Sequence, residues 1–186
     1  MAAKTAKPVL PYTPDDADPA LQPTPALRRR LAAMLYEGVL LFGVLMIGGL
    51  LFAIVADQRH ALHGRIGLQI FLFVLLGLYF CGCWTRGGQT LAMKTWHVRL
   101  VRMDGQSPSW PQAVLRYLLA WLWFVPALLG AQILGLHDQG RLSSAVLAGV
   151  AGYALLSLLL PDRQFLHDRL CKTRLVTWRP APRKRP

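Results

Sequence analysis

The sequence predicts an all-α membrane protein with four transmembrane helices and both termini cytoplasmic, with two segments that could add a small cytoplasmic β element. Three observations predict this. Hydrophobic residues make up 54% of the 186 residues and charged residues 16%. Soluble domains carry about a quarter charged residues, so there is too little charge here to coat a water-soluble globule. The apolar excess is gathered into four long runs, and the basic residues between those runs are strongly biased to alternate sides.

A bilayer core about 30 Å thick needs about 20 apolar residues at 1.5 Å rise per residue. Four runs qualify. Leu31–Ala56 is broken only by Glu37. Ile66–Trp84 has Gln69 as its main polar member. Ala113–Leu136 has Arg116 near its start and Pro126 in its middle, and Leu142–Leu160 carries no charge. None is a second copy of another. An acid at a helix centre costs about 2.5–3.5 kcal/mol on the insertion scale, an upper bound for Glu37 near the end. Fourteen Leu, Ile, Val and Phe residues share its span. At roughly −0.3 to −0.6 kcal/mol each they offset it, so the first span should insert.

Orientation follows from the 21 Lys and Arg residues. Seventeen lie in the N-terminal tail, the loop Thr85–Gln112 and the C-terminal tail. Three lie in the other two loops, and Arg116 lies in a span. Cytoplasmic loops are the basic ones, so both tails and the middle loop are expected inside. The same pattern accounts for the net charge of +12 without nucleic acid, since the charge flanks the membrane instead of forming one folded basic face.

Met1–Leu27 holds six of the thirteen prolines and the acids Asp15, Asp16 and Asp18, the composition of a disordered tail. Residues 28–178 read as the membrane domain. Arg179–Pro186 is a short basic tail, expected to meet anionic lipid headgroups. In the middle loop, Thr90–Trp96 is expected to make one or two helical turns. His97–Met103 follows and ends at Asp104-Gly105, a tight-turn signal. Thr173–Trp178 is β-branched and aromatic like a short strand. Two such segments beside one bundle could pair into a sheet or remain extended and solvated.

Four polar elements stand in order at the ends of the spans. Arg29 to Glu37 has an arginine at the mouth of the first helix, Arg30, and an acid two turns on. Gly88-Gln89-Thr90-Leu91-Ala92-Met93-Lys94 leads to Arg99-Leu100-Val101 and Asp104-Gly105. Arg116-Tyr117 heads the next helix, and His167-Asp168-Arg169-Leu170-Cys171-Lys172-Thr173 precedes a strand. In order and placement these elements resemble the RDD family of small bacterial membrane proteins, with Glu37 in place of the usual aspartate and Cys171-Lys172 in place of the usual Ala-Gly. The resemblance covers Arg28–Trp178 and implies an integral protein of the bacterial inner membrane, for which the family suggests transport and establishes no reaction.

Arg30, Glu37, Arg116 and Asp168 form the expected ion or ligand pathway, with His167 and Asp104 as a second tier. Arg30 and Glu37 lie two turns apart on one helix face, and Glu37 and Arg116 sit at one shallow depth, so they are expected to approach within water-bridging distance. Asp168 is expected to bond Arg30, Arg116 or backbone donors. An ionisable residue inside the membrane is a functional-site hypothesis by default. Two readings stand: a proton or cation site, or an ion pair that fixes helix packing.

No metal or cofactor is expected. Cys81, Cys83, Cys171 and His167 share a side, but C-x-C is not the usual zinc spacing. No G-x-S-x-G, H-E-x-x-H or phosphate loop is present, so no enzyme is expected. Ser144, Ala148 and Gly152 make a small-residue stripe suited to helix packing. Trp110, Tyr117, Trp121 and Trp123 read as an interface belt. Four spans are few for a transporter acting alone, which favours a homo-oligomer if the protein transports. The rival reading is a non-catalytic assembly protein that docks a partner.

Overall fold

The computed structural model describes residues 18–55, 65–136 and 138–180. Four of its helical stretches are long and apolar enough to cross a membrane: Leu27–Ile54, Ile66–Gly87, Trp110–Ile133 and Gln139–Leu159. They coincide with the four runs expected from hydropathy. Their outward faces carry exposed Val39, Phe42, Ile47, Leu50, Ile70, Leu129, Leu147 and Leu155. So much contiguous apolar surface suits lipid and not water. The protein is a multi-pass membrane protein.

The first two spans are the unbroken helices α1 (Leu27–Val55) and α2 (Arg65–Gly87). Then come a short helix α3 (Leu91–Thr95) and strand β1 (Val98–Arg102). The third span is split into α4 (Trp110–Ala120) and α5 (Val125–Ile133) by a 3-10 turn at Trp121–Trp123. Pro126 lies in the first turn of α5. Its missing N–H and its ring forbid a continuous ladder, so the break falls where the sequence placed the proline. The fourth span is α6 (Gln139–Leu159). A turn at Pro161–Arg163, helix α7 (Leu166–Leu170) and strand β2 (Thr173–Thr177) follow.

β1 and β2 pair antiparallel, with Val98 opposite Thr177, Leu100 opposite Leu175 and Arg102 opposite Thr173. The two segments expected as strands do form a sheet. An isolated two-stranded ribbon is marginal, and this one is covered on both faces. Val98, Leu100 and Leu175 join the core with Ala33, Trp84 and Ala113 of the bundle. Val101 and Val176 alternate to the other face and are also fully buried.

A segment before α1 closes that second face. Arg174, cross-strand neighbour of Val101, donates to the carbonyls of Ala20 (2.7 Å) and Gln22 (3.2 Å). The Thr177 N–H donates to the Pro23 carbonyl, and Thr24 donates to the Asp162 carbonyl at 3.0 Å. Residues 18–26 are therefore docked, a correction to the reading of Met1–Leu27 as one disordered tail. The prolines stiffen the segment, so ordering it costs little chain entropy, and its free carbonyls accept from the sheet. Residues 1–17 and 181–186 lie outside the described residues. Because this strap, the middle loop and β2 pack together, the chain before the first span and the chain after the fourth share one end of the bundle.

Two expectations about packing are corrected. The close approach of α5 and α6 is made by Gly149 against Ala127, while Ser144, Ala148 and Gly152 face outward. Tyr117 and Trp123 are buried and act inside the fold. The Tyr117 hydroxyl donates to the Phe73 carbonyl at 2.8 Å, and Trp123 packs on Tyr153 and Phe165.

Candidate functional site

The polar residues gather at the sheet end of the bundle. Buried Arg30, Ala33 and Glu37 mark one face of α1 at the three- and four-residue spacing that keeps side chains on one side of a helix. That face meets α2, α3 and the turn before α7.

Glu37 is 7% exposed. It accepts from the Tyr79 hydroxyl of α2 at 2.7 Å and from the Thr90 hydroxyl. Thr90 is also the N-cap of α3, its Oγ1 accepting from the Met93 N–H at 3.2 Å. The loop reaches this position through Gly88, whose φ of +69° lies in the region that Gly alone enters freely. A Cβ there would strike the Leu100 carbonyl oxygen. That closeness lets the Leu100 N–H donate to the Gly88 carbonyl at 2.7 Å. The family-like run Gly88-Gln89-Thr90 thus folds the middle loop back onto the acid of the first span.

Arg116 does not meet Glu37. Its Nε donates to Asp168 Oδ1 at 2.7 Å, with both side chains buried, and its guanidinium lies 4.2 Å over the Trp84 ring. Among the described residues, no direct ion pair joins Glu37 to Arg116. The turn at Pro161–Arg163 brings α7 back across the head of α4, so Asp168 reaches the arginine first. The expectation that Asp168 bonds Arg116 holds. Asp168 is itself fully buried, and its carbonyl accepts from Thr173 Oγ1 at 3.1 Å.

His167 lies beside this pair. The Tyr153 hydroxyl accepts from the His167 backbone N–H at 3.1 Å and lies 2.8 Å from Nδ1. The hydroxyl proton is free to point at Nδ1, which leaves Nε2 protonated and 3.6 Å from Asp168 Oδ1. That is too long for a hydrogen bond, though the sign is attractive. Burial pushes the imidazole down to about 4, against the pull of Asp168 and with the push of Arg116. Near neutral pH it is uncharged. Arg30 stacks 4.3 Å over Phe165, and its Nε and Nη1 find no protein partner, nor does Asp168 Oδ2.

The four pathway residues are thus brought to one end but separated into two groups. The first is Glu37 with Tyr79 and Thr90. The second is Arg116, Asp168 and His167, with Arg30 nearby. Asp104 lies apart on the surface, paired with Arg102 at 3.1 Å. Among the described residues no three His, Cys, Asp or Glu side chains converge as a metal set. Burial pushes the Cys171 thiol above its ordinary range, away from the thiolate that reactivity needs. Tyr79, Trp84, Tyr153 and Phe165 were not singled out from sequence, since each reads there as an ordinary aromatic of an apolar run. Thr90 carried a signal through its place in the Gly-Gln-Thr motif.

The model of the RDD family matches residues 24–172, which contain every residue of both groups. No curated protein and no solved structure matches the chain.

Proposed function

The chain belongs to the RDD family of membrane proteins, and from that premise we propose that it moves a proton or small cation across the bacterial inner membrane, with its termini cytoplasmic and Glu37 as the binding group. The observation that carries this is the company Glu37 keeps. It is buried in a membrane span and accepts two hydroxyl hydrogen bonds, and among the described residues no Lys, Arg or His pairs with it. A buried carboxylate without a countercharge is costly. A proton or a small hard cation supplies the missing charge, and the carboxylate with two hydroxyl oxygens is a hard donor set of the kind such cations take. With Arg116 committed to Asp168, a packing ion pair no longer accounts for the acid.

The second group has a different part. The Arg116–Asp168 pair joins α4 to α7 and closes the sheet end of the bundle. The unpartnered nitrogens of Arg30 and the free oxygen of Asp168 are the polar atoms a hydrated path would meet there. This reading is non-enzymatic.

A second reading is a non-catalytic assembly protein that docks a partner or a second copy. The outward-facing stripe Ser144, Ala148 and Gly152, with open space at Gly152, favours it. Reconstitution of the purified chain in liposomes loaded with ion- and pH-sensitive dyes separates the two. Flux supports transport. No flux together with a fixed co-purifying partner supports assembly.

A further inference from the structure

A groove of about 230 Å³ opens beside β2, lined by Met103, Asp162, Gln164, Arg169, Lys172, Thr173 and Arg174. It is smaller than pockets for drug-sized ligands, which run to about 300–1,000 Å³. Its lining carries three cations and one carboxylate. Its position directly after the fourth span puts it where that span leaves the apolar region. We propose that this groove is a seat for a phosphate group, carried either by a lipid headgroup or by a soluble phosphorylated ligand.

The seat is built on a fixed floor. Gln164 is 2% exposed and donates to Leu175 O at 3.0 Å and Thr24 Oγ1 at 2.9 Å, while its Oε1 accepts from the Leu175 N–H. Thr173 is equally buried and bonded to the Asp168 carbonyl. The cations above this floor are not spent on carboxylates. Among the described residues Arg169 and Lys172 are exposed and unpaired. Arg174 uses its two terminal nitrogens on the strap but leaves a buried Nε without a protein partner. Two uncommitted cations, Arg169 and Lys172, line one concavity with the charge of Arg174 in its wall, which suits an anion with several acceptor oxygens, as a phosphate is.

The backbone adds an independent observation. Lys172 has φ +53°, and Asp162 and Arg163 have φ +60° and +53°. A non-glycine residue in this region costs roughly 1–2 kcal/mol. Two of these residues, Asp162 and Lys172, line the groove, and Lys172 stands where glycine would relieve the turn. Strain kept at a site is a pointer to function there: the chain accepts the strained turn and keeps a cation at the rim.

The test uses the full chain in lipid nanodiscs. Two probes are measured: retention of phosphatidylglycerol over phosphatidylcholine by native mass spectrometry, and binding of inorganic phosphate by equilibrium dialysis at low salt. Lys172→Gly combined with Arg169→Gln should weaken the bound probe about 30-fold, which is two basic residues at about 1 kcal/mol each. Arg141→Gln, at the opposite end of α6, should leave it unchanged. Lys172→Gly relieves the turn, so lost binding in a chain of equal or higher thermal stability excludes misfolding as the cause. Phosphatidylglycerol retention that inorganic phosphate does not displace assigns the seat to lipid. Phosphate binding that displaces the lipid assigns it to soluble phosphorylated ligands. The proposal is overturned if the wild type binds neither probe, if the double variant binds as well as the wild type, or if Arg141→Gln loses as much.

Discussion

Arg116 and Asp168, 52 residues apart, meet through a single 2.7 Å contact from Nε to Oδ1 in a fully buried setting. The contact joins the head of the third span to the short helix after the fourth, and it commits Arg116 to Asp168 and not to Glu37. The architecture of the sheet end and the isolation of the membrane acid both follow from it.

The pair should behave as a coupled unit. Removing one partner leaves a buried charge alone and should cost about 3–5 kcal/mol. Arg116→Met with Asp168→Leu removes both charges and should cost less than the sum of the two single changes. Thermal unfolding in detergent of the four members of this cycle measures the coupling. Simple additivity would contradict a direct interaction.

Gly88→Ala should be among the most damaging small substitutions. The new Cβ meets the Leu100 carbonyl oxygen, which is backbone and cannot rotate away, at a φ of +69°. A loss of about 2 kcal/mol or more is expected from the left-handed conformation and the clash together. Leu115→Ala, at an exposed position facing outward, should cost far less in the same detergent unfolding assay.

His167 should make the fold acid-sensitive in a defined window. Its folded value is about 4 against 6.5 for the free side chain. Between these values the unfolded chain binds the proton and the folded chain does not, so acid favours unfolding. Stability held by this group is complete above about pH 6.5 and is lost as pH falls toward 4, about 3 kcal/mol in all. Unfolding midpoints from pH 7.5 to pH 4.5 should fall in the wild type and fall less in His167→Gln. Parallel slopes in the two proteins would remove the claim.

Lys172→Gly should stabilise the chain by up to about 1 kcal/mol. The turn between α7 and β2 needs φ +53° at this position, and glycine removes the Cβ penalty at some cost in unfolded-chain entropy. A lower melting temperature for this variant would show that the lysine makes a stabilising contact that outweighs its strain.

The spans and the strand-forming segments were legible in the sequence because each is a local matter, whereas the pairing of Val98–Arg102 with Thr173–Thr177 is long-range and was left open between a sheet and extended chain. Run length sets a span, Asp104-Gly105 marks a turn, and Thr173–Thr177 is rich in strand formers. The partners of Glu37 were not legible. Tyr79 lies 42 residues away and Thr90 lies 53 away, and no periodicity relates them to the acid. Equal depth suggested Arg116, but depth leaves the side of the helix open, and α7 folds back to claim that arginine. Pro-rich composition also misled over residues 18–26. The carbonyls that composition leaves without partners are the acceptors Arg174 uses.

Glu37→Gln in reconstituted liposomes tests the central claim most directly. Glutamine keeps the size and most hydrogen bonds to Tyr79 and Thr90 but cannot carry the charge. The wild type should dissipate an imposed proton or cation gradient, and Glu37→Gln should abolish that flux while it still inserts and keeps its thermal transition. Glu37→Asp, shorter by one methylene, should retain flux at an altered rate or pH dependence. A wild type no leakier than protein-free liposomes, or a Glu37→Gln variant that carries as fast as the wild type, would contradict the account.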